Sequence, residues 1–117
     1  NKRFLNYDKQ GIPKNIVSIL TVGVNDYKGV HERMGLLFKA KSSVLRDATS
    51  KGWKGSIIFE MFTEEDWESL YQVIHACFCK IKTGEVQNIE KYLFQSLRNY
   101  FENYAQNYYA RDVLNGN

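Results

Sequence analysis

Two long amphipathic patterns, joined by a short link, fill the second half of this chain and direct it toward a helical hairpin. Trp67, Leu70, Tyr71, Ile74, Cys77, Phe78 and Ile81 recur at the three-and-four spacing that makes one face of a helix apolar. Thr63 precedes them as an N-cap, and Glu64, Glu65 and Asp66 sit where the helix dipole favours negative charge. Lys80 and Lys82 occupy the opposite end, and Gly84 terminates the pattern. A last helix is predicted from about Gln87 to Asp112. The short loop between the two makes them antiparallel neighbours.

The last pattern carries an Asn-Tyr pair every four residues: Asn99-Tyr100, Asn103-Tyr104 and Asn107-Tyr108. At about 100° per residue, Ile89, Leu93, Leu97, Tyr100, Tyr104 and Tyr108 fall within about 100° of arc. Phe94, Phe101 and Ala105 widen that arc to about 160°. Asn99, Asn103 and Asn107 follow its edge, with Lys91, Arg98 and Glu102 on the far side. The tyrosines therefore share the aliphatic face, and Tyr100 and Tyr104 are expected to pack on the hairpin partner. An arc this wide exceeds what one neighbour covers. The last helix also outruns its partner by about two turns, or roughly 10 Å. Tyr104, Tyr108 and Tyr109 are accordingly the candidate interaction residues, since Tyr is enriched at interface hot spots.

The first half reads differently. Ile16 to Val24 is short and rich in β-branched residues, which predicts a buried strand, although Pro13 is also placed to open a helix there. Residues Asn1 to Asn15 read as a lead-in loop with a short edge strand at Arg3 to Tyr7. Asn25 to Gly29 reads as a loop. Val30 to Ser50 predicts a helix with Val30, Met34, Leu37, Leu45 and Ala48 on one stripe, Val44 at its edge and Lys41 interrupting it. The competing reading makes Met34 to Ala40 a strand paired with Ile16 to Val24. Ser56 to Phe62 predicts a second strand. The expected fold is α+β, a small two- or three-stranded sheet packed on three helices, with an all-α bundle as the alternative. A third strand would come from the lead-in or a second subunit, because two strands alone make a poor sheet.

Residues 1–117 are expected to form a single globular domain, and a start at Asn1 rather than Met suggests excision from a longer protein. With 44% hydrophobic residues and 25% charged, the chain can bury a core without metal or disulfide staples. A net charge of +3 is well short of a DNA-coating protein. The charges are segregated, however. Lys28 to Lys54 holds seven basic and two acidic residues, whereas Gly55 to Ser69 holds five acidic residues and no basic one. Within the basic stretch, Trp53 lies between Lys51 and Lys54, and rings beside cations grip single-stranded nucleic acid. Lys39, Lys41, Lys51, Trp53 and Lys54 are therefore the alternative, nucleic-acid-binding candidates.

No catalytic constellation emerges. His75, Cys77 and Cys79 are close in sequence, but on a helix Cys77 turns to the core, His75 to its edge and Cys79 elsewhere, so no metal site is expected. Cys77 and Cys79 read as reduced thiols of a cytoplasmic chain. His31 reads as a surface residue. The acids at Glu64, Glu65, Asp66 and Glu68 are explained by the helix dipole, and the scattered glycines form no phosphate cradle. No apolar run reaches membrane-spanning length. The resulting expectation is a non-catalytic, cofactor-free protein-interaction or oligomerisation domain that uses the aromatic C-terminal helix and the oppositely charged segments. Its partner is a protein or a second copy, and nucleic-acid binding through residues 28–54 is the alternative.

Overall fold

The computed structural model describes residues 11–114, with side chains described for residues 11–107. Helix α1 spans Lys14–Leu20, α2 Tyr27–Ser50, α3 Glu64–Lys82 and α4 Ile89–Leu114, with a 3-10 turn at Phe59–Met61. The described residues contain no strand, so the architecture is a helical bundle and the α+β expectation is overturned. The expected edge strand at Arg3 to Tyr7 lies outside the described residues.

Two segments expected as strands differ among the described residues. Ile16, Val17, Ile19 and Leu20 are all buried while Ser18 is exposed, which is the three-and-four spacing of a short helix. Pro13 starts it: the proline carbonyl accepts from the Ile16 and Val17 amides at 3.1 and 3.2 Å. β-branched propensity is a weak preference that this burial overrides. Ser56 to Ile58 carries no helix, Ile58 is extended, and the alternation is real, with Ile57 and Phe59 buried and Ile58 exposed. Among the described residues no strand offers it a ladder, and after Ile58 it curls into the 3-10 turn. It serves as a strap across the bundle. The competing strand at Met34 to Ala40 is also absent, because those residues lie inside α2.

Local capping sets the helix ends. Asp26 accepts from the Gly29 amide at 2.9 Å to start α2. At the other end of α2, the Gly52 amide bonds Thr49 and the Trp53 amide bonds Ala48, each at 3.0 Å, with Gly52 at φ 96°. This is a Schellman ending, and it explains the "KGWKG" break. Thr63 and Asp66 form a reciprocal capping box at the start of α3. Gly84 ends α3 with a second Schellman turn.

One core joins the four helices: Ile16 and Leu20 from α1, Met34 and Leu37 from α2, Leu70 and Ile74 from α3, Leu93, Leu97 and Phe101 from α4. The expected hairpin of α3 and α4 is present, yet α4 packs more extensively on α2 than on α3. That second neighbour is why the apolar arc of α4 is too wide for a simple hairpin. Arg33 clips α1 to the rest. Its guanidinium donates to the carbonyls of Leu20 and Val22, each at 3.1 Å, and lies 5.7 Å from the Phe78 ring centroid.

Candidate functional site

Helix α4 is flanked by two different surfaces. Along its buried line run Leu93, Leu97, Phe101 and Ala105. On one side of that line, Tyr100 and Tyr104 face the strap and the start of α3. On the other side, Arg98, Glu102 and Gln106 face the C-terminal end of α2. Glu102 and Tyr104 are two residues apart and hence about 160° apart around the axis. Arg98 and Glu102 thus lie on the side of α4 away from α3, and that side is occupied by α2.

The tyrosine flank is an aromatic cluster. Tyr100 donates its hydroxyl to the Asp66 carbonyl at 2.7 Å. Burial, with the charges of Asp66 and Tyr104, holds its phenol well above the ordinary tyrosine value. Tyr104 stacks on Phe62 with ring centroids 4.7 Å apart, and Phe62 lies 4.7 Å from the Trp67 ring. Both tyrosines are half-buried rather than fully enclosed. Next to them the strap exposes Ile58 at 39% and Met61 at 62%. Glu60, Glu64 and Glu65 are exposed around this apolar edge. The side chains of Tyr108 and Tyr109, the other two candidate interaction residues, lie outside those described.

The α2 flank is a groove of about 400 Å³. Val44, Ala48, Ala105 and Trp53 give it apolar walls, and Lys51 and Gln106 stand at its border. Arg98 spans it, donating to Ser43 at 2.6 Å, Asp47 at 3.1 Å and Glu102 at 3.0 Å. One guanidinium thereby holds both acids of the groove. Trp53 leans over Gly55 so closely that a Cβ there would collide with the indole.

The five basic-stretch candidates are not one cluster. Lys51 and Trp53 line the groove together, and Lys54 is exposed just beyond the helix end. Lys39 is exposed on α2, about 160° around the axis from Lys41. Lys41 turns inward, its ammonium 4.4 Å from the Phe59 ring centroid. Burial lowers its pKa, with Glu60 opposing the shift. That contact explains how a lysine interrupts the buried stripe of α2: the stem lies on the core and the charge rests over a ring.

His75 and Cys79 are neighbours on an exposed face of α3, with Sγ and Nδ1 3.8 Å apart, contrary to the expected divergence of that pair. Residues four apart on a helix share a face, and His75 and Cys79 are such a pair. Cys77 alone turns inward, and burial raises its thiol pKa. Among the described residues, no group of three potential ligands is arranged to hold a metal ion. Arg98 and Met61 escaped the sequence reading. Arg98 had no visible partner within its own helix except Glu102, and Met61 looked like a strand residue.

Fold and flanks together define a helical-bundle domain whose longest helix is bordered by an aromatic cluster on one side and a groove on the other. Residues 1–103 match the family described as the Replication initiator protein A C-terminal domain, and the chain belongs to that family. Its role is replication-related, in protein or DNA interaction. Comparison with curated proteins and with solved structures gave no match. Among the described residues, no helix is long and apolar enough to cross a membrane.

Proposed function

We propose that this domain is a non-catalytic docking module of a replication initiator, binding a protein through the tyrosine flank of α4. The observation that carries this reading is Met61, a large apolar side chain 62% exposed beside the Phe62–Tyr104 stack. An exposed apolar edge against ordered aromatics has the anatomy of an interface centre, and the surrounding acids supply a polar rim. On sequence grounds Tyr108, four residues beyond Tyr104, extends the same surface, and Tyr109, about 100° further around the axis, is a candidate contact on another side of α4.

The acidic rim selects a basic partner, and the chain itself offers one. Lys28, Lys39 and Arg46 are exposed on α2 and lie within about 20° around its axis, with Glu32 beside them. A second copy docking this face against the tyrosine flank would be a heterologous contact. Sedimentation velocity across a concentration series, at low and high salt, tests it. The expected result is a salt-sensitive rise in mass that Met61→Ser removes. A chain that stays monomeric at the highest concentration, or a Met61→Ser variant that associates like the parent, would sink the self-docking reading.

A second reading has its own support. Trp53 and Lys51 share a groove, with Lys54 exposed next to them, and this is chemistry suited to nucleic acid. It involves the opposite flank of α4 and does not depend on the first.

A further inference from the structure

We infer that the groove between the end of α2 and α4 takes one unpaired base of single-stranded nucleic acid, stacked on Trp53, with the adjoining phosphates held by Lys51 and Lys54. This rests on the nucleic-acid reading and goes further by naming the ligand form, the pocket and the residue that aims the ring.

Three observations lead there. First, Val44, Ala48 and Ala105 give the groove an apolar wall beside the Trp53 indole, while Gln106 also lines it with an amide able to pair with a base edge. Second, the indole is set in place by its surroundings. The Schellman ending of α2 fixes the Trp53 backbone, and Gly55 leaves room for the ring and for nothing larger. Third, the charges of the groove favour a base inside and phosphate outside. Arg98 engages both Asp47 and Glu102, and the lining charges of Lys51, Arg98, Asp47 and Glu102 cancel. A phosphate gains little by entering. Lys51 has no ion pair among the described residues, and Lys54 is exposed beyond the groove. The backbone is therefore expected to track the rim, with a base turned inward. A base within a duplex is stacked and paired and cannot reach such a site without being turned out.

The test is fluorescence anisotropy of a labelled oligothymidylate, against an abasic chain carrying the same number of phosphates. Loss of the base should weaken binding by about five- to 150-fold, the range for one stacked base. Trp53→Ala should reproduce that loss and Trp53→Phe should retain most of the affinity. Gly55→Ala keeps the tryptophan but displaces the ring, and should also weaken the base-bearing oligonucleotide while leaving the abasic one unchanged. Two phosphate contacts to a single strand predict a log–log salt slope of about −1.4. Circular dichroism melts establish that each variant is folded, and the abasic comparison needs only the parent protein. Equal binding of intact and abasic chains would overturn the pocket and leave the nucleic-acid reading standing. No binding of any oligonucleotide at low salt would remove both. A shift of the Trp53 indole N–H resonance on titration with free p-cresol, with no effect of oligonucleotide, would assign the groove to an aromatic side chain of a protein and overturn the proposal.

Discussion

Tyr100 shows at one side chain what the Asn-Tyr pairs of α4 do. Its ring packs against the core and its hydroxyl reaches the Asp66 carbonyl, while Asn99 and Asn103 face solvent. Its apolar placement was legible because period-four tyrosines drift only about 40° per step. The hydroxyl's partner was not, because Asp66 lies on another helix. The raised phenol pKa has a consequence for stability. A group whose folded pKa exceeds its unfolded value contributes stability that is complete below the unfolded value, near pH 10 for tyrosine, and is lost as pH rises above it. Tyr100→Phe should therefore cost about 0.5–1.5 kcal/mol at neutral pH, for the lost hydrogen bond. It should also make the melting temperature fall less steeply above about pH 10 than in the parent. Parallel alkaline slopes in thermal melts of the two proteins would show that Tyr100 does not carry the effect. Lys41 and Arg98 teach the complementary point. Their charges gave them away as anomalies on a helix wheel, but the Phe59 ring and the Ser43 and Asp47 acceptors are set by tertiary packing.

At the scale of elements, the sequence was readable wherever a helix was long and capped. The α3 capping box and the Gly84 stop announce themselves in residue types alone. Short apolar runs were not readable, since four buried residues in seven fit a buried strand and a one-sided helix about equally well. Ser56 to Phe62 failed for another reason: alternation reports extended backbone, and a sheet also needs a partner. Two glycines, one inside α2 and one just past its end, separate these local rules cleanly. Gly52 ends the helix at φ 96°, where an L side chain is strained, so Gly52→Ala should destabilise by about 1–2 kcal/mol. Gly35 lies inside the helix with open space where a Cβ would go, so Gly35→Ala should stabilise by about 0.5–1 kcal/mol. Denaturant midpoints at unchanged m-value would measure both. Shifts of the same sign would mean that the C-terminal turn of α2 is not held as described.

At the scale of the molecule, the charge segregation of the sequence becomes two surfaces divided by one helix. The acidic segment contains the aromatic strap, and the end of the basic segment borders the groove across α4. A helix with its side chains is about 10–12 Å across, so groups on its two flanks share no contact partner. Sites separated by more than about 7–10 Å normally act additively, within about 0.3–0.5 kcal/mol. Met61→Ser should therefore reduce protein association and leave oligonucleotide affinity unchanged, while Lys51→Glu should do the reverse. The double variant should lose both, each by the amount seen alone. The measurement is a double-mutant cycle read once by sedimentation and once by anisotropy. A coupling beyond that additive range would mean that ligands at the two flanks compete or cooperate through α4. Loss of oligonucleotide binding in Met61→Ser would go further, because an exposed side chain on the strap cannot reach the groove within one monomer. It would mean that nucleic acid binds an assembled form, with the tyrosine flank of one copy completing the groove of another.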